Sequence, residues 1–335
     1  MKRSLIIMTA LAFSMALFVP LTSARTVVPG PVAQEPTPDE AAAYKAWFDA
    51  NSAKDYPKAK ELAKAYLAKF PTGKYADYLK TKWLPQVRGM QYKEAADAKN
   101  TAGIISIAKE VLAEDADNLD YLLAVIVQIR TNELFANPPN FSHAADATEF
   151  ADRAVRLLEA GKTPTGADAK VFNKNATLGY LHGTLAVIYE HDKNVDKALA
   201  AYEKAAQLEP TNATFFFHCG RIHNDKYAAA AQKYQAIPEA DRDAAEPKPE
   251  VKAALEEVNK QADAVITCWA RFLGLTADKK ENFSAETRAK IEKALTDLYK
   301  YRHPDSTDGL QKLIDQNKST TPPVSRNTPA SGAKP

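Results

Sequence analysis

The stretch GYLHGTLAVIYEHDKNVDKALAAYEKAAQLEPTN, residues 179–212, decides how the rest of the chain reads. Leu181, Leu185, Ile188 and Tyr189 recur at helical spacing in its first half. Val195, Ala198, Leu199, Tyr202, Ala205, Ala206 and Leu208 do the same in its second half, the pattern of an amphipathic helix. Between them His191-Asp192-Lys193-Asn194 breaks the apolar pattern, and Asn194 tolerates the left-handed backbone that a helix reversal needs. Pro210 cannot continue a helix, so the second one stops just before it. Such a hairpin cannot bury both its apolar faces alone. It requires neighbours of the same construction.

The neighbours are visible as a repeated spacing. Lys193-Asn194-Val195 begins 17 residues before Pro210, Lys54-Asp55-Tyr56 begins 17 before Pro71, and Lys99-Asn100-Thr101 begins 17 before Ala116. The two later copies also end alike, Ala116-Asp117-Asn118 against Pro210-Thr211-Asn212. A unit of about 34 residues with small and aromatic residues at fixed offsets is the mark of tetratricopeptide repeats. Leu185, Ala186 and Tyr189 match the first helix of that repeat, Ala198, Tyr202 and Ala205 the second, and Pro210 its terminal proline. His182 stands where the family has Trp, and Lys193 where it has Gly. Residues 38–236 therefore resemble a tetratricopeptide-repeat protein.

That resemblance implies an all-α solenoid of about five helical hairpins. The implied function is non-catalytic: a scaffold or adaptor that holds a segment of a partner protein in the concave surface. In the register of the repeat, that surface is lined by Asp120, Val127 and Arg130, then Tyr180 and Glu190, then Phe217, Arg221 and Asn224. Aromatics, arginines, an amide and acids together suit an extended or helical peptide. Cochaperone members of the family hold a peptide carboxylate with Lys and Asn at two of these positions. Gly183 and Val187 stand there in the best repeat, so that specialised activity is not implied. The alternative function is an accessory subunit of an envelope enzyme or transport complex, binding a small ligand between the repeats and the C-terminal helices.

The first residues read as an address. Lys2 and Arg3 precede the apolar run 5–19, and Thr22-Ser23-Ala24 suits cleavage after Ala24, so residues 1–24 are expected to be a secretory signal peptide. The run is short for a membrane span, and no integral span is expected after cleavage. The expected location is the periplasm or outside the cell. Cleavage would remove two cations and no acids, leaving 42 of the 44 Lys and Arg against 42 Asp and Glu. That balance supplies no electrostatic reason to expect nucleic acid as a partner.

Residues 25–37 are proline-rich and read as a linker. The first hairpin has Tyr44, Trp47 and Phe48 on one helix and Ala59, Leu62, Ala63, Tyr66 and Leu67 on the next, and Pro57 suits a first helical turn. In the second unit, Pro85 is expected to interrupt the first helix. An apolar helix over 119–130 is separated from its partner over 143–160 by a long turn, TNELFANPPNFS, with Ser142 as the expected cap and Gly161 as the stop. Residues 213–235 read as a degenerate fifth unit with a shortened turn. The stretch 250–317 reads as a C-terminal helical cap: one long helix ended by Gly274, another capped by Ser284, and a third capped by Ser306 or Thr307. Residues 318–335 lack apolar periodicity and are expected to be a disordered tail.

No phosphate loop, CxxC pair, CxxCH or HExxH is present, and no acid–base pair stands out, so neither an enzyme nor a cofactor is expected. Cys219 and His223 lie four apart on one helical face, as two metal ligands do. Both occupy positions that the repeat buries, so no metal is expected. Cys219 and Cys268 are the chain's two cysteines, and an exported protein offers them a disulfide. Such a bridge would be worth about 4 kcal/mol by loop-closure entropy. Two separately buried thiols fit the sequence as well.

Overall fold

Helices and turns account for the described residues, 35–165, 172–277, 283–304 and 306–318 of the computed structural model. The expected signal peptide, linker residues 25–34 and tail residues 319–335 lie outside them. Packing divides the chain into a unit that ends at Val87 and a second that begins at Arg88.

In the first unit α1 (Pro38–Ser52) and α2 (Tyr56–Lys69) form a hairpin. Thr37 and Asp55 cap the two helices, and each has a proline in its first turn, where a missing N–H goes unnoticed. Trp47 is buried edge-on to Trp83, with ring centres 5.2 Å apart. The Trp83 indole donates to Asn51 Oδ1 at 2.9 Å. Glu40 is buried, and its Oε1 accepts from the Tyr66 hydroxyl at 2.5 Å and from the Lys74 amide at 2.7 Å, closing the turn after α2. A short α3 (Ala76–Tyr78) leads through a wide π-type turn, Leu79–Trp83, into α4 (Leu84–Asp97). Pro85 therefore does not end the helix. The wide turn just upstream shifts the hydrogen-bond ladder where proline supplies no donor.

In the second unit α4 is followed by α5 (Thr101–Glu114), and buried Arg88 on α4 reaches Glu110 and Glu114 on α5. Then come α6 (Leu119–Ile129), a second wide turn (Arg130–Leu134), α7 (Ala144–Glu159), α8 (Lys174–His191) and α9 (Val195–Leu208). Each packs on its successor, and Ile104, Leu122, Ile126, Phe150, Ala154 and Leu181 are buried in one shared core. Ala198, Tyr202 and Ala205 belong to a second core with Ala186, Phe215 and Cys219. Leu185 is buried too, while Tyr189 and Pro210 are half-buried.

The three reversals share one geometry. Lys54, Lys99 and Lys193 take left-handed backbones, with φ of 59°, 53° and 59°. Their amides donate to Asn51, Ala96 and Glu190 carbonyls, and the next amides to Ala50, Ala95 and Tyr189. This double bond pattern satisfies the free carbonyls at a helix end. Asn194 is thus not the left-handed residue, as its type suggested; Lys193 is. Asn194 instead caps α9, accepting from the Lys197 amide, as Asp55 and Asn100 cap α2 and α5. All three second helices have 14 residues. They end at residues of similar backbone conformation, Phe70, Asp115 and Glu209, with φ of −129°, −135° and −126°.

Residues 213–235 form one continuous helix, α10 (Ala213–Gln235), not a shortened hairpin. Neither Gly nor Pro lies between Arg221 and Gln235 to stop it, and an alanine run favours continuation. After α11 (Glu239–Arg242), α12 (Pro249–Leu275) lies along α10 and supplies its hairpin partner. The long helix assigned to the cap is therefore half of this hairpin. A Cβ on Gly220 would stand 2.2 Å from the Trp269 ring, so the glycine permits this close approach. α13 (Ala285–Arg302), capped by Ser284, and α14 (Leu310–Gln316) cover the other side of α12. Gly274 does not end α12. It lets the end of α14 approach, since a Cβ there would lie 2.6 Å from the Asn317 carbonyl carbon. Gly309, not Ser306 or Thr307, precedes α14. Ser142 is engaged by Asn140 and leaves His143 at the start of α7 without a side-chain cap.

A lysine in the left-handed region is disfavoured relative to glycine by about 1 kcal/mol. Lys193→Gly is expected to raise the urea unfolding free energy by about 0.5–1 kcal/mol, and Asn194→Ala to lower it by about 1 kcal/mol.

Candidate binding face

The first helices of three hairpins in the second unit, α6, α8 and α10, carry seven of the eight residues expected to line the concave surface, and the eighth, Arg130, directly follows α6. Arg130 opens the wide turn after α6, and its guanidinium lies between two rings, 4.3 Å from the centre of Phe135 and 4.2 Å from that of Tyr180. One edge is held: Nη1 donates to the Tyr180 carbonyl at 3.2 Å and to Thr184 Oγ1 at 2.8 Å. Among the described residues no carboxylate forms an ion pair with it, and the Glu209 carboxylate acts on its charge only through space. Burial pulls its basicity below the ordinary arginine range. Beside it, Val127 and Phe135 are 44% and 52% exposed.

The 131–143 connection positions Phe135. Glu133 is buried, its carbonyl accepts from the Ala136 and Asn140 amides, and its Oε1 lies 2.8 Å from His143 Nδ1. Phe141 stacks on His191 at 3.8 Å. The turn-rich composition of this stretch hides an anchored loop, and nothing in its periodicity pointed to Phe135 as Arg130's neighbour.

A second polar group joins α8 to α10. Arg221 Nη2 lies 2.5 Å from Glu190 Oε1, and Arg221 Nη1 3.6 Å from Asp225. His218 Nδ1 stands 3.5 Å from Glu190 Oε2, which also accepts from the Tyr202 hydroxyl at 3.2 Å. His218 stacks flat on Tyr202. The His218 imidazole, with Arg221 and the Tyr202 hydroxyl, holds the Glu190 carboxyl below the ordinary glutamate range against the effect of burial.

The remaining expected residues do not converge. Phe217 packs on Phe272 and Phe283, at 5.5 and 5.3 Å, and contributes to the core of α12 and α13. Asn224 is half-buried on α10. Asp120 accepts from the Thr165 amide at 3.0 Å. His223 has Gln261 at 2.7 Å from Nδ1 and Glu203 at 3.4 Å from Nε2, while Cys219 meets Cys268 rather than His223. Two open hollows, of about 440 and 590 Å³, lie on α12–α14 around Asp263 and Arg302. Their linings contain no residue of the hairpins before α12. Among the described residues, no group of three or more His, Cys, Asp and Glu is gathered as a metal would need, and no helix is long and apolar enough to cross a membrane.

Compared with known protein families, the chain matches none, and a search of curated proteins likewise returned no match.

Because the Glu190 carboxyl titrates below its unfolded value, the stability that it contributes is present above the ordinary glutamate range and lost as pH falls through its lowered one. Glu190→Gln is expected to lower the melting temperature at pH 7, by the equivalent of about 1 kcal/mol or less for a half-exposed group. The difference should shrink as pH falls below the ordinary glutamate range and vanish once pH is below the lowered titration of Glu190. Thermal melts of both proteins across pH 2–7 check it.

Proposed function

We propose that this chain is an exported tetratricopeptide-repeat protein, a non-catalytic adaptor whose α6–α8 face holds a segment of a partner protein. The Arg130 guanidinium, fixed between Phe135 and Tyr180 with no ion-pair contact among the described residues, carries the reading. A half-buried cation without a carboxylate in contact has lost part of its hydration and gains when an anion completes it. The adjacent exposed Val127 and Phe135 offer an apolar surface whose burial adds to that gain. The fitting ligand is a peptide with a carboxylate next to an apolar side chain. Arg221, at a comparable place on α10, is already paired with Glu190 and makes a weaker anchor. The three shared reversals and the match of residues 185–210 support the repeat family. The Lys2–Ala24 leader pattern supports export.

The test is an anisotropy screen of short labelled peptides that vary only in acidic and apolar content. Acidic–apolar peptides are expected to bind, and their amide-for-acid counterparts to bind at least tenfold more weakly. Arg130→Gln should produce the same loss at unchanged helicity. Equal binding of both peptide classes, or an Arg130→Gln protein that binds as well as the natural one, would contradict the proposal.

A further inference from the structure

The chain's two cysteines lie 49 positions apart in sequence, at 219 and 268, yet their side chains meet where α10 and α12 run side by side. Cys219 is buried at 2% exposure, and Cys268 is half-buried at the edge of the same core. Both are free thiols in this structure. The residues that follow them, Gly220 and Trp269, pack so tightly that a Cβ on Gly220 would collide with the indole ring, so α10 and α12 lie close beside the cysteines. Contact with Cys268, then burial, pushes the Cys219 thiol up from its ordinary range.

We propose that Cys219 and Cys268 are a disulfide site that locks α12, and the helices packed on it, to α10 under oxidising conditions. Cys268, the more accessible thiol, reacts first. Its thiolate attacks a disulfide oxidant, an S–S bond forms to Cys268, and the displaced thiolate takes up a proton. Cys219 then loses its proton to solvent and attacks Cys268 Sγ, expelling the second oxidant thiol. The cysteine pair loses two electrons and two protons, and the oxidant disulfide becomes two thiols. The order follows from exposure: Cys219 is sealed in the core and acts as the resolving thiol. The inference does not depend on the binding face proposed above.

The experiment equilibrates the full chain in mixtures of reduced and oxidised glutathione, quenches with acid, unfolds, alkylates, and counts labels by intact mass. Both labels are expected to disappear together in one transition, in a monomer that has lost two hydrogens and melts higher than the reduced protein. Cys219→Ser should stop at a single glutathione adduct on Cys268, whereas folded Cys268→Ser should keep an unmodified Cys219. Two labels that survive the most oxidising mixture, separate glutathione adducts on both cysteines, or cross-linked dimers would overturn the proposal. The natural chain alone decides between these results if either variant loses its helicity.

Discussion

A helix end leaves carbonyls and amides without partners, and the reversals at Lys54, Lys99 and Lys193 satisfy both sets within a few residues. The left-handed lysine lets two amides turn back onto the finishing helix. The following Asp or Asn supplies a side-chain acceptor to the starting one. Because the second helix then runs for the same length and ends at a residue of the same backbone conformation, each hairpin leaves the turn in a similar direction. Burial of Ala198, Tyr202 and Ala205, or of Ala59, Ala63 and Tyr66, follows from that direction. The apolar stripes provide most of the driving energy, and the turns decide where it is collected.

The sequence disclosed this construction where local rules and packing agree. The spacing from reversal to terminus is visible because the turn chemistry and the length of the second helix are both local. It misled where a residue type has more than one use. Asn194 is a good left-handed residue and a good cap, and the cap was needed more. Gly274 reads as a helix stop, yet it serves the approach of Asn317. Pro85 reads as a break, but a wide turn absorbs it. The pairing of α10 with α12 crosses a proline-containing break, 237–249, and only tertiary contact reveals it.

The binding face was partly legible. Register places Arg130 and Tyr180 on neighbouring first helices, and the structure brings them into contact. Register cannot foresee which arginine is neutralised. Arg221 has Glu190 from the preceding hairpin, while Arg130 has two rings and a carbonyl. That difference separates a residue that ties two hairpins together from one without an ion-pair contact among the described residues. It depends on the 131–143 loop, where Glu133 and His143 hold Phe135 in place through contacts that no periodicity encodes.

The central claim is that the surface around Val127 and Arg130 meets a partner whereas the start of α9 does not. Val127 on α6 and Val195 at the start of α9 are almost equally exposed, at 44% and 45%, so they form a matched pair. A photo-crosslinking amino acid placed at each position in turn, in the cells that produce the protein, compares the two surfaces directly. The account predicts a discrete, reproducible adduct from position 127, lost when Arg130 is replaced by Gln, and none from position 195. Adducts of equal yield from both positions, or an adduct from 195 alone, would contradict it.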